Sequence, residues 1–155
     1  MSVTLRPATA AAVPLFDAWD LQPHVIAATS DDPNAGTALE DADWFDEFTA
    51  DDPASNYFVA EVGGRPIGAM QVIDPAEERT HYWGLDRPPY LRAMDIWSGE
   101  PECLGKGYGT QMMQLAIDTA FAESNVEAIL IDPLNSNVDA HRFYQHLGFR
   151  PIGRR

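Results

Sequence analysis

A turn rich in glycine carries the clearest chemical signal of this chain, with the sequence Leu104-Gly105-Lys106-Gly107-Tyr108-Gly109. Glycine at every second position lets the backbone turn its N–H groups toward a ligand, and the helix predicted to follow places the positive end of its dipole behind them. This arrangement suits a phosphate or a pyrophosphate. Its spacing is neither that of a Walker loop nor that of the dinucleotide fingerprint. A tight connection between a strand and a helix would explain the same glycines equally well.

A second signal is a carboxylate inside an apolar stretch, Asp95 in Ala93-Met94-Asp95-Ile96-Trp97. Burial of a carboxylate is costly unless the group is paired or serves a function. In an alternating strand Asp95 and Trp97 share one face, opposite to that of Met94 and Ile96. The pattern therefore leaves two interpretations of Asp95, a functional acid and an outward-facing residue.

The elements that must position these residues follow the order β-α-α-β-β-β-α-β-α-β. The predicted strands cover residues 2–6, 57–62, 67–73, 91–98 and 126–131, and Phe149 opens a last one. The predicted helices begin near Thr9, at the capping box Thr37–Glu40, at Thr110 and after Ser136 as the cap, and Gly148 closes the last helix. Residues 20–36 and 74–90 are predicted loops, and the second is long enough to expect a function for it.

Composition describes one domain with a strongly acidic first half. The net charge of −14 argues against nucleic acids and anionic membranes as partners. Half of the 24 acids lie in the first 64 residues, where no Lys or Arg stands between Arg6 and Arg65, whereas the sole lysine, Lys106, lies in the glycine turn. The sequence therefore favours a cationic partner for the N-terminal part and an anion for the turn. A solvated acidic surface is the alternative.

Cysteine and histidine usage restricts the chemistry further. Cys103 is the single cysteine, so an internal disulfide is excluded, and the four scattered histidines show no ligand spacing, so we assign no metal. No apolar run approaches the roughly 20 residues that span a bilayer, and the N-terminus lacks the pattern of a signal peptide. We expect a cytoplasmic protein.

The order of elements, with the glycine turn after the fourth strand, resembles the GCN5-related N-acetyltransferase (GNAT) superfamily. The family pattern Arg/Gln-x-x-Gly-x-Gly/Ala corresponds to residues 104–109, with Leu104 at the polar first position. The run Asp132-Pro133-x-x-Ser136-Asn137-x-x-Ala140-x-Arg142-x-Tyr144-x-x-x-Gly148-Phe149 is similar to the C-terminal half of bacterial aminoglycoside 6′-N-acetyltransferases, and Tyr82-Trp83 precedes it in the same order. In that subfamily an acid precedes the aromatic pair; here Thr80 takes its place, near Glu77 and Glu78.

The resemblance covers nearly the whole chain, taken as a single domain, 1–155. It implies a mixed, mostly antiparallel sheet of six or seven strands with helices on both faces. It also implies acetyl-CoA as cosubstrate in the cleft between the fourth and fifth strands. The residues that would contact acetyl-CoA are Ile96, Trp97, Leu104, Gly105, Lys106, Gly107, Tyr108, Gly109, Thr110 and Asn137.

The resemblance also implies roles at the acceptor. Asp95 would bind the acceptor amine and act as its base, and Tyr144 would protonate the departing thiolate. Trp44, Trp83 and Asp132 would line the acceptor site together with Asp95. Each has a structural alternative: an aromatic core residue for Trp44, Trp83 and Tyr144, and a turn residue before Pro133 for Asp132. For Asn137 the alternative is a residue that merely starts a helix.

The function implied is direct transfer of an acetyl group to a primary amine of a cationic small molecule, first of all the 6′-amine of an aminoglycoside. Another amine (a polyamine, a siderophore precursor or a lysine-like metabolite) and a non-catalytic acyl-CoA-binding domain are the alternatives. The sequence stops soon after Phe149, where the family adds a turn and a seventh strand. Truncation, or an edge supplied by a partner in a homodimer, would account for this.

Overall fold

The computed structural model describes residues 2–39 and 43–154, which form one five-stranded sheet in the order β1-β2-β3-β4-β5. The strands are β1 Val3–Pro7, β2 Ser55–Val62, β3 Arg65–Ile73, β4 Leu91–Ser98 and β5 Ala128–Leu130. Neighbouring strands from β1 to β4 are antiparallel, and β5 is parallel to β4. The mixed α/β class and the bounds of β4 are confirmed.

The predicted count of six or seven strands is wrong for the described residues, which form five. Phe149 opens no strand, and residues 149–154 pair with none of the five strands. β5 is shorter than the predicted 126–131 and lies at the edge of the sheet rather than in its centre, and its three residues are only half-buried.

In the described part of the chain five α-helices accompany the sheet: α1 Val13–Asp20, α2 Pro23–Thr29, α3 Trp44–Thr49, α4 Tyr108–Ala122 and α5 Val138–His146. α2 lies within a stretch predicted as loop, and Pro23 is compatible with it because it stands in the first turn. α3 begins after Asp43, whose carboxylate accepts a hydrogen bond from the Asp46 N–H at 3.2 Å. Thr37 starts no helix, and Glu40 of the predicted capping box lies outside the described residues.

The two ends of α5 illustrate one wrong and one confirmed prediction. Asn137, rather than Ser136, is the cap, since its Oδ1 accepts a hydrogen bond from the Ala140 N–H at 3.1 Å. Gly148 closes the helix as predicted, with φ of +99°. The Phe149 N–H then returns to the Tyr144 carbonyl at 3.0 Å, which is the Schellman arrangement.

The core has two parts, one on each face of the sheet. On one face α4 buries Met112 and Met113 against Met70 and Met94. Phe121 of the same helix is 48% exposed. On the other face an aromatic cluster connects α1 and α3 to the sheet through Phe16, Trp19, Trp44, Val59 and Ala69. Side chains therefore pack on both faces of the sheet. The site described below lies where β4 and β5 stop pairing.

No helix within the described ranges is long and apolar enough to cross a membrane.

Candidate active site

The strands β4 and β5 separate where the predicted site begins. They pair through Leu91–Ala128, Arg92–Ile129 and Ala93–Leu130, and no further pair follows among the described residues. Continued in the same register, Asp95 of β4 would face Asp132, two residues after β5. The negative charge of Asp132 does reach Asp95, because it helps to raise the pKa of the Asp95 carboxyl. Two carboxylates therefore lie at the mouth of the opening between the strands.

A row of polar side chains crosses the sheet toward Asp95. Tyr57 of β2 is paired with Gln71 of β3, and Gln71 is paired with Asp95. The Gln71 amide donates to the Tyr57 hydroxyl at 2.9 Å and to the Ser55 hydroxyl at 2.8 Å. Tyr57 in turn donates to the Glu47 carboxylate at 3.0 Å. This network fixes the floor of a cleft, and burial together with the Glu47 charge raises the pKa of Tyr57, which keeps it protonated.

The cleft above this row has a volume of about 470 Å³. Its wall is formed by α3 and the segment after it on one side and by the loop 74–90 on the other. The acidic side chains that line it are Asp46, Glu47, Asp52, Glu78 and Asp95, and the aromatic ones are Tyr57, Tyr82 and Trp83. Carboxylates and aromatic faces together favour a cationic ligand.

Asp95 lies at the bottom of this cleft. Its neighbours Ala93 and Met94 are buried, whereas Asp95 is exposed toward the cleft. Desolvation by the walls of the cleft, followed by the charge of Asp132, raises the pKa of Asp95 above the ordinary value for an aspartate. A carboxylate in this state is a better proton acceptor than a fully solvated one.

Tyr144 of α5 lies close enough to Asp95 for the charge of that carboxylate to act on it. Burial, and then the negative charge of Asp95, raises the pKa of Tyr144 to about 12. Its ring packs against Phe143 and Phe149, with centroids 5.2 and 5.8 Å away. Among the described residues its hydroxyl has no hydrogen-bond partner. Tyr144 is therefore a protonated phenol near Asp95 with its donor available.

The loop 74–90 bridges the two sides of the cleft. The Tyr82 hydroxyl donates to Asp132 at 2.7 Å, and the Tyr82 and Trp83 rings meet edge to face at 5.5 Å. Glu78 accepts hydrogen bonds from the Thr80 N–H at 2.7 Å, from the Thr80 hydroxyl and from the Tyr82 N–H at 3.0 Å. Glu78 therefore places a carboxylate in the cleft although Thr80 precedes the aromatic pair.

The glycine turn forms a backbone cradle at the start of α4. Gly105 and Gly107 have φ of +71° and +80°, in the left-handed region that favours glycine, and Gly107 caps the helix without a side chain. Among the described residues the N–H groups from Gly105 to Thr110 have no acceptor within the chain. Gly109 faces Phe143, which would lie 3.5 Å from an added Cβ. The cradle fits an anion such as a pyrophosphate.

A family model described as an acetyltransferase (GNAT) domain matches residues 9–155. The chain belongs to the GNAT acetyltransferase family. The resemblance stated from the sequence is confirmed, and with it acetyl-CoA-dependent N-acetyl transfer as the activity.

Relatives of this acetyltransferase include enzymes that modify aminoglycosides. The aminoglycoside N(6′)-acetyltransferase type 1 of Klebsiella pneumoniae is 25% identical over 152 residues, covering 98% of this chain and 76% of that protein. A kanamycin resistance protein of Rhizobium radiobacter is 33% identical over 76 residues, 49% of this chain and 70% of that protein. A crystal structure of an aminoglycoside acetyltransferase with coenzyme A and kanamycin matches with a TM-score of 0.80 and 25% identity, over 98% of this chain and 86% of that one.

Trp44 of the acetyltransferase was predicted to line the acceptor site. The structure corrects this prediction, because Trp44 does not line the cleft. It is 2% exposed, and its indole N–H donates to the buried Asp20 carboxylate at 2.7 Å. The ring packs on Phe16 and Phe48, at 5.0 and 5.6 Å. Aromatic packing on the sheet accounts for Trp44, as the structural alternative proposed, whereas Trp83 does line the cleft.

The predicted coenzyme contacts lie along the opening and the turn of the acetyltransferase. Ile96 and Trp97 follow the last residue of β4 that pairs with β5, so one edge of their backbone faces the opening. The Trp97 ring packs on Phe16 at 5.7 Å, which leaves its backbone rather than its ring for a ligand. In the turn, Leu104, Lys106 and Thr110 are exposed and Tyr108 is half-buried. The side-chain oxygen of Asn137 accepts the hydrogen bond that caps α5.

Several cleft residues were missed from the sequence: Asp46, Glu47, Asp52, Ser55, Tyr57, Gln71, Glu78 and Arg79. The acidity of the first half predicts a cationic partner or a solvated surface, yet no local pattern assigns Asp46, Glu47 and Asp52 to one wall of a cleft. Gln71 and Tyr57 are identified only once the strand register is known, because their pairing with Asp95 joins segments far apart in the chain.

Proposed function

We propose that this acetyltransferase moves the acetyl group of acetyl-CoA to a primary amine of a cationic small molecule, with the 6′-amine of an aminoglycoside as the first candidate. The observation that carries the proposal is the acidic cleft that ends at Asp95, beside the opening between β4 and β5. The activity of the relatives from Klebsiella pneumoniae and Rhizobium radiobacter supports the aminoglycoside. Such an enzyme would protect its host from the antibiotic.

We propose that the glycine turn holds the pyrophosphate of the coenzyme. The N–H groups of Gly105 to Thr110 would donate to its oxygens, and the start of α4 would stabilise its charge. The exposed Lys106 adds one positive charge at the same place. The backbone of Ile96 and Trp97 would guide the rest of the coenzyme along β4. When bound, acetyl-CoA supplies the activated acetyl thioester.

Asp95 and Asp132 would hold the acceptor ammonium group between them. An amine attacks only as the free base, so the ammonium must first lose a proton. Asp95 is suited to accept it, because desolvation and the charge of Asp132 raise its pKa. Positioning of the amine in line with the thioester is the second contribution, and the network of Gln71, Tyr57 and Glu47 fixes the floor on which it rests.

Tyr144 would supply the proton that the departing sulfur needs. With a pKa raised to about 12 it is fully protonated at neutral pH. The departing thiolate has a conjugate acid with a pKa of roughly 8.5, so the Tyr144 phenol is the weaker acid and acts first by a hydrogen bond that stabilises the sulfur as the C–S bond breaks. A proton that Tyr144 gives to the sulfur would be replaced on the phenolate from solvent. Asp95 and Tyr144 therefore take complementary roles on the two sides of the opening.

The direct test is an acetyl-CoA assay with a panel of aminoglycosides, spermidine and small diamines, in which thiol release is followed and the product is identified by mass spectrometry. The proposal predicts a mono-acetylated cationic amine. Asp118→Asn is the control for loss of one carboxylate, since Asp118 lies on α4 and bonds only to Gln114 among the described residues. Tight binding of the coenzyme with no acetylated amine would favour an acyl-CoA-binding domain instead.

A cytoplasmic location and a homodimer stay predictions. The first is testable by cell fractionation and the second by light scattering of the purified protein.

A further inference from the structure

Among the described residues that line the acceptor cleft, Arg79 is the one cationic side chain. Five carboxylates line the same cleft, those of Asp46, Glu47, Asp52, Glu78 and Asp95. A guanidinium here has the same charge as the ammonium groups of the proposed acceptor. Arg79 therefore lies in the negative field that the acceptor itself must use.

The contacts of Arg79 are long and leave most of it in solvent. Its Nε lies 3.8 Å from the Asp52 carboxylate, and its Nη2 donates to the Asp51 carbonyl at 3.3 Å. The side chain is 68% exposed. An ion pair of this length and exposure is weak, so it can be displaced by a ligand, but its charge still reduces the attraction that the cleft exerts on another cation.

We propose that Arg79 is a specificity-determining residue that competes, as an internal cation, with the cationic acceptor for the carboxylates of the cleft. This rests on the proposed function, since it assumes that the acceptor binds in this cleft. An acceptor with several positive charges loses more by the competition than one with a single charge, because each of its charges meets the guanidinium field. Arg79 thereby limits the preference of the cleft for the most highly charged amines.

A purely structural role makes the opposite prediction. Arg79 joins the loop 74–90 to the segment after α3, and Tyr82 joins the same loop to Asp132. If Arg79 served only to anchor the loop, its removal would loosen that wall of the cleft and weaken acceptor binding. The sign of the change in acceptor KM therefore separates the two roles.

The test compares Arg79→Gln and Arg79→Lys with a matched control, Arg87→Gln. Arg87 belongs to the same loop and is exposed, but it does not line the cleft, and its Nε lies 3.5 Å from the Leu85 carbonyl. Arg79→Gln is expected to lower the KM for spermidine by about two- to fivefold and to lower that for a monoamine less, in keeping with a weak ion pair. Arg79→Lys keeps the wild-type KM, as does Arg87→Gln, and added salt shrinks the difference.

An unchanged or raised KM for spermidine in Arg79→Gln would overturn the proposal, and so would an equal fall in Arg87→Gln, which would indicate a general effect of net charge. Calorimetric titration of spermidine into the wild-type protein and Arg79→Gln gives a readout without turnover. If no amine is acetylated, the proposed function fails, while the titration still decides the role of Arg79. The proposed role of Arg79 is contradicted if spermidine binds Arg79→Gln no more tightly than it binds the wild-type protein, or if it binds neither protein.

Discussion

The two halves of the site are built by different means. The glycine turn offers backbone N–H groups from one continuous segment, Gly105 to Thr110. The acceptor cleft instead collects side chains from α3, three strands and the loop 74–90. A backbone cradle tolerates changes of its side chains and depends on φ, whereas the cleft depends on the charge and position of individual groups. Substitutions in the two halves should therefore separate coenzyme binding from acceptor chemistry.

Removal of the proposed base should have the largest effect. Asp95→Asn keeps the shape of the side chain and removes the proton acceptor, so we expect turnover to fall by roughly a hundredfold or more. Binding of acetyl-CoA, which is assigned to the other half, should stay within about twofold, and titration calorimetry measures it. Wild-type turnover in Asp95→Asn would exclude Asp95 from the chemistry, and Asp118→Asn serves as the control.

Removal of the proposed acid, Tyr144, should lower turnover less than removal of the proposed base. Tyr144→Phe keeps the packing on Phe143 and Phe149 and removes only the hydroxyl, so a fall of about ten- to a hundredfold in kcat is expected, at or below the usual range for general acid catalysis. The pKa of Tyr144, raised to about 12, means that it does not titrate near neutral pH. The pH profile of the wild-type enzyme should therefore show no loss from this group below about pH 10. If Tyr144→Phe lowers the melting temperature along with the activity, the tyrosine contributes through packing and not as an acid.

Gly107→Val tests from the glycine turn whether coenzyme binding and acceptor binding are separable. Gly107 has φ of +80°, and a β-branched residue in the left-handed region is strained by about 1–2 kcal/mol or more. We expect the affinity for acetyl-CoA to fall by about tenfold, while acceptor binding measured by calorimetry changes little. Gly36→Val is the matched control, because an added Cβ at Gly36 meets no atom within 4 Å. Equal weakening of both ligands would show that the two halves are not separable.

The smallest effect is a pH shift within the acceptor half. Asp95 must be ionised to accept a proton, so kcat/KM should fall as the pH drops through its pKa, and that pKa is raised above the ordinary value. Asp132→Asn removes a negative charge that contributes to the rise, so the acidic limb should move to lower pH. A pH series of kcat/KM for wild type and Asp132→Asn measures this, and a shift in the opposite direction would contradict the coupling.

The features found from the sequence are those that a continuous segment specifies. The glycine turn, the bounds of β4 and the closure of α5 at Gly148 depend on neighbouring residues and were predicted, although α4 begins at Tyr108, two residues before the predicted Thr110. α2 was missed because Pro and Asp around it are typical of loops, although Pro23 can occupy the first turn of a helix.

What the sequence could not supply is the tertiary register. The row Tyr57–Gln71–Asp95 depends on how three strands align, and a shift by one residue would turn each side chain to the other face. Trp44 also shows that tertiary packing cannot be inferred from the sequence, since it was assigned to the site and lies in the core. An aromatic residue on an acidic helix is compatible with a ligand site and with a core, and only its packing on Phe16 and its bond to Asp20 place it in the core.

Acetylation at the 6′-amine of an aminoglycoside is tested most directly with a matched pair of aminoglycosides that differ only in an amino or a hydroxyl group at position 6′. The wild-type enzyme is incubated with acetyl-CoA and each compound, and the products are identified by mass spectrometry and NMR. We expect one acetyl group on the 6′-nitrogen of the amino compound and no product from the hydroxyl compound. No acetylated product from either compound or from any other cationic amine, although acetyl-CoA binds, would contradict this expectation.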